Sequence, residues 1–148
     1  MALYNSTTMD GSSNLPSNSH AAMVLEHRCA VVFATAASLT TADTLVLGKL
    51  PAGYIIDSIN ADTEGVAGLS LSFQQTDSLT APTKTTVLAA DLSVASAGRQ
   101  AAVMNLAAIR LQGENIPMNV VAKVVGTGSM AAGKEIGVTI KYRSRQSI

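Results

Sequence analysis

Between Leu45 and Asp57 the chain reads LVLGKLPAGYIID, and few kinds of fold accommodate that run. Two apolar-rich stretches flank Leu50-Pro51-Ala52-Gly53. Proline fixes φ and lacks an N–H, whereas glycine accepts positive φ without steric cost. Pro followed two residues later by Gly predicts a tight reversal between two strands. The first strand covers Thr44 to Leu50, and its expected partner covers Gly53 to Ala61. Ile55, Ile59 and Ala61 share one parity, Tyr54, Ile56 and Ser58 the other. Apolar residues on both parities predict a strand covered on both faces for part of its length.

The same period continues on either side. Leu69, Leu71 and Phe73 alternate with Ser70, Ser72 and Gln74, the pattern of a half-buried strand. Val24 to Thr35 is predicted as a strand from Val31-Val32-Phe33, and Val87 to Ala90 as a short one. Met118 to Gly126 and Glu135 to Arg143 alternate clearly. Ala36 to Asp43 reads as a loop or edge segment, Gln75 to Thr86 as a long loop, and Asp91 to Gly98 as a helical turn or a loop. Arg99 to Gln112 is ambiguous. A helix would set Val103, Leu106 and Ile109 at helical spacing, whereas a strand would align Val103, Ala107, Ile109 and Leu111. A strand over Asn105 to Leu111 is favoured, because strands flank it and sequential strands tend to pair. About eight strands with sandwich-like turn intervals, and no strand-helix-strand rhythm, predict an all-β protein with an antiparallel β-sandwich domain over residues 24–148.

Residues 1–23 are different in kind. Ser, Asn, Thr and Gly dominate MALYNSTTMDGSSNLPSNSHAAM, which reads as an extended N-terminal arm. Leu3, Tyr4, Met9, Leu15 and Pro16 are scattered through it and are the candidate contacts with a neighbouring subunit. Composition supports association. With 148 residues the chain fits one domain, yet only 14% of them are charged. Soluble domains average ~25%, so part of this surface is expected to be covered by other protein.

Several functions are disfavoured. Ten basic residues balance ten acidic ones, and nucleic-acid binding usually needs a basic excess. No apolar run approaches the ~18 residues of a membrane helix, and the polar N-terminus lacks a signal-peptide pattern. Cys29 has no cysteine to pair with. His27 and Cys29 share one strand face, but no third group orients them as a metal site or nucleophilic pair. Asp57, Asp62 and Glu64 cluster after one strand without the spacing of a calcium loop. Thr127 to Gly133 lacks the Lys-Ser/Thr ending of a phosphate loop, and no Gly-x-Ser-x-Gly elbow occurs. The absence of Trp and the 3% aromatic content speak against a carbohydrate-binding module. The expectation is a non-enzymatic protein without cofactor or metal.

The run Ala42-Asp43-Thr44-Leu45-Val46-Leu47-Gly48-Lys49-Leu50-Pro51-Ala52-Gly53-Tyr54-Ile55-Ile56-Asp57 resembles a pattern in small structural proteins of tailed bacteriophages. There an Ala/Gly-Asp loop leads to a strand, then Leu-Pro-Ala-Gly, then an Ile/Val strand. The likeness is close over residues 42–57 and loose over 30–143. It implies a jelly-roll-like sandwich in a virion protein, often a capsid decoration (cement) protein made in the host cytoplasm and placed on the outer capsid surface. The implied partner is the major capsid protein, with a homotrimer suited to local three-fold axes. A tail, collar or head-fibre component is the alternative.

Overall fold

The computed structural model describes residues 3–5, 24–110 and 114–144. In chain order they form β1 (Leu3–Asn5), β2 (Val24–Phe33), β3 (Ala37–Leu39), β4 (Thr44–Leu50), β5 (Tyr54–Thr63) and β6 (Ser70–Thr76). Then follow β7 (Thr85–Ser93), β8 (Gly98–Ala101), α1 (Leu106–Ile109), β9 (Met118–Gly126), β10 (Gly128–Met130) and β11 (Lys134–Ser144).

The reversal forms as the Pro-Gly pair demands. Gly53 takes φ +84°, and the Tyr54 N–H donates to the Pro51 carbonyl at 3.2 Å. Its two strands, however, are not hydrogen-bonded partners. β4 belongs to one sheet and β5 to the other, so the turn carries the chain across the sandwich. Both strands bury residues on both parities, so alternation alone could not tell a hairpin from a crossing between sheets.

Leaving aside the short β1, β3 and β10, the eight longer strands follow one rule. One sheet is ordered β2-β11-β5-β8, and the other β4-β9-β6-β7. Counted along the chain, the first strand pairs with the eighth, the second with the seventh, the third with the sixth and the fourth with the fifth, all antiparallel. This is one long hairpin rolled up on itself, the jelly-roll arrangement. β3 and β10 form a small antiparallel pair of their own. β1 extends the second sheet beyond β4 and runs parallel to it.

The core lies between the sheets. β11 contributes Ile136, Val138, Ile140 and Tyr142, all at 0% exposure, opposite Leu71 and Phe73 of β6 and Val120 and Ala122 of β9. Leu69, Leu71 and Phe73 are buried as their alternation predicts. At ~25 cal/mol per Å² of apolar surface removed from water, such residues supply most of the driving force for folding. Two local expectations need correction. Of the stretch expected as a helical turn or loop from Asp91 to Gly98, Asp91 to Ser93 continue β7, with Asp91 at φ +50°, Gly98 opens β8, and residues 94–97 form the loop between them. The strand expected over Asn105 to Leu111 is instead the single helical turn α1, where Ala108 is buried; residues 111–113 fall outside the described set.

Candidate functional site

Leu3 and Tyr4, the described members of the arm's candidate contacts, meet the edge of β4. Leu3 is in register with Thr44 and Tyr4 with Leu45. The Tyr4 ring leans on Phe33 with centroids 5.2 Å apart, while Leu3 stays 39% exposed. Leu3 also lines a cleft of about 150 Å³ with Thr44, Gln74, Leu79, Pro82 and Lys123. Thr44 is buried there, and its Oγ1 has no hydrogen-bond partner among the described residues. Met9, Leu15 and Pro16 lie outside the described residues.

The outer faces of the two sheets differ in charge. On the β2-β11-β5 face, Arg28 reaches across β11 to both oxygens of Asp62, Nη2 to Oδ1 at 2.6 Å and Nε to Oδ2 at 3.1 Å. It also donates to Glu135 at 3.3 Å. The hydrogen bond to Asp62 is the main reason the Arg28 pKa sits above its ordinary value; burial opposes it. Arg143 pairs with Asp57 and Lys141 with Glu26 on the same face, while Lys134, on the parity of the core residues Ile136 and Val138, pairs with Glu64 beyond the end of β5. On the other sheet, the positions alternating with the core include Thr44, Ser72, Gln74, Thr76, Asn119 and Lys123. Lys49, in register with Asn119, and Lys123 are charged positions on that face.

The arrangement holds no reactive constellation among the described residues. Asp57, Asp62 and Glu64, the sequence's best case for a hard cation, each take a different cationic partner. No three His, Cys, Asp or Glu residues converge among those described. Cys29 is fully buried, and desolvation pushes its thiol up to about 11. His27 lies on the same side of β2, with Nε2 buried and without a hydrogen-bond partner among the described residues. No described helix is long and apolar enough to cross a membrane.

Sequence reading placed its candidate contacts in the arm and did not single out another exposed apolar surface. Val103, Leu106 and Ile109 are 84%, 58% and 55% exposed around α1. Asn105 ties this segment to β7, its N–H donating to the Leu88 carbonyl at 2.8 Å and its Nδ2 to the Val87 carbonyl at 3.1 Å. The signal was present as helical spacing, but the apolar side of this turn faces outward.

No family model matches the chain, and no curated protein matches it. Among solved structures, a chain from the capsid of Ralstonia phage GP4 superposes with a TM-score of 0.76 at 23% identity, covering 99% of this chain and 100% of that one. The two share a fold. A chain from the cyanophage Pam1 capsid aligns at a TM-score of 0.48 and 15% identity over 88% of this chain and 93% of that one, a level that does not establish a common fold.

Proposed function

We propose that this chain is a structural protein of a bacteriophage virion that decorates the capsid and stabilises it by binding where major capsid protein subunits meet. The observation that carries the reading is the end-to-end superposition on a chain from the Ralstonia phage GP4 capsid. The scarcity of charge and the exposed apolar residues around α1 support a surface made to be covered. The role is non-enzymatic. Copies associate as a trimer on local three-fold positions of the outer shell, with residues 1–23 as a contact arm using Leu3, Tyr4, Met9, Leu15 and Pro16.

The test is binding to particles. Labelled full-length protein is incubated with purified heads and with purified tails, and each mixture is sedimented and imaged. Saturable attachment to heads, together with a higher temperature for head disruption, is expected. Attachment to tails alone would place the protein in a tail or collar. Attachment to neither would remove the virion reading.

A further inference from the structure

We infer that the β4 edge is a strand-exchange site, at which residues 3–5 of one copy pair with β4 of a second copy of this chain. The fit of the occupant is already visible, because the chain's own Leu3–Asn5 fills the site. Leu3, Tyr4 and Asn5 align with Thr44, Leu45 and Val46. The Tyr4 ring seats on Phe33, and Leu3 shares a cleft with Thr44. An identical strand from a neighbour makes the same contacts, so exchange costs no contact.

Three features make the strand detachable. It has three residues, and its pairing is parallel whereas the other pairings among the described strands are antiparallel; parallel pairing is slightly less stable per residue. It stops at Val46, where β4 bulges against β9 between Val46 and Gly48. Its anchor, Tyr4, is only half-buried.

Covalent reach allows the transfer. Residues 6–23 separate β1 from β2, and a chain of that length spans up to ~60 Å when extended. A domain of this size has a radius of gyration of ~15 Å, so the tether exceeds the width of one copy. A tethered strand meets its own edge at an effective concentration on the order of mM. In dilute solution the chain's own strand therefore wins. Copies held side by side, or protein near ~1 mM, give a neighbour's strand an equal claim.

The experiment traps the exchange with full-length protein and needs no capsid, so its failure would leave the decoration reading standing. One variant carries Leu3→Cys and another, of distinguishable mass, carries Thr44→Cys. In-register strands bring Cα atoms within disulfide range. After mild oxidation at ~1 mM, a disulfide-linked heterodimer is expected, as a fraction of chains on the order of a hundred-fold or more above that at ~1 µM. It should also exceed about ten-fold the yield from pairing Leu3→Cys with Ser96→Cys in the β7–β8 connection, which measures chance collision. The double variant Leu3→Cys/Thr44→Cys should close an intrachain bridge at ~1 µM, when the own strand is favoured. If the Leu3→Cys and Thr44→Cys variants, mixed at ~1 mM, give no more heterodimer than the collision control, the inference is overturned.

Discussion

Gly137 shows how one missing side chain organises a whole face. A Cβ there would run into the Arg28 guanidinium and sit 2.6 Å from Asp62 Oδ1. The glycine thus opens the path by which an arginine on β2 reaches an aspartate on β5, passing over β11 between them. Gly137→Ala is expected to displace Arg28 and lower stability by ~1 kcal/mol, at the upper end for a surface ion pair. In an Arg28→Ala background the same change should cost much less, so a double-mutant cycle followed by urea unfolding reads the coupling. Equal costs in both backgrounds would break the link. Asp77 plays a comparable part in the β6–β7 loop. It accepts hydrogen bonds from the Thr83 hydroxyl and from the backbone N–H groups of Thr83 and Lys84, at 2.9 and 3.1 Å for the latter two. These bonds, the Thr83 hydroxyl first, lower its pKa from 3.8 to about 2. A depressed carboxylate pKa means the loop's support is complete above pH 3.8 and is lost as pH falls toward 2. Protection of the Thr83 and Lys84 amides, measured relative to their intrinsic exchange rates, should therefore fall over that window, and Asp77→Asn should remove that fall.

At the scale of elements, α1 separates exposed apolar residues from buried ones within a single turn. Leu106 and Ile109 point outward, whereas Ala108 is 2% exposed. Leu106→Glu and Ile109→Glu should each change stability by less than ~0.5 kcal/mol, as surface substitutions do. Ala108→Asp places a charge in a closed site and should cost several kcal/mol, about 3 or more. Thermal unfolding of the three variants distinguishes this arrangement from a strand, in which Ile109 and Ala107 would share a buried face. The same segment shows what was legible in the sequence. Leu69, Leu71 and Phe73 declared their strand because one parity is wholly apolar and the other polar. Pro51 and Gly53 declared the turn because their backbone restrictions are local. Val103 to Ile109 misled because spacing reports a face without saying whether the core or solvent lies against it. β4 and β5 misled because strands apolar on both parities carry no record of their partner. For the candidate contacts, Leu3 and Tyr4 stood out as apolar residues in a polar arm. Their seat on Phe33 was not legible, since it depends on bringing β1, β2 and β4 together.

Taken as a whole molecule, the roll brings distant parts of the chain together. Among the described strands, β6 and β7 are the only consecutive pair that are hydrogen-bonded neighbours. That is why the preference for sequential pairing misread the segment before β9. The outermost pairing joins Val24 to Arg143, so the first long strand waits for the last. β11 lies between β2 and β5, and among the described strands β2 has no other neighbour in its sheet. β11 also brings Ile136, Val138, Ile140 and Tyr142 to the core. A chain ending at Gly133 should therefore lack a cooperative unfolding transition, losing more than the edge of a sheet. Intact protein should refold slowly for its size, because loop closure precedes the reward from non-local contacts, placing the relaxation in the ~ms–s range of β-sandwiches. Ile140→Ala should cost ~2–5 kcal/mol at equilibrium from lost burial and the cavity left behind. If β11 docks only after the inner strand pairs have formed, nearly all of that cost should appear in faster unfolding and little in slower folding. Stopped-flow refolding in urea followed by far-UV circular dichroism measures both limbs. A folding limb slowed by the full equilibrium cost would instead put the first-to-last strand pairing in the nucleus.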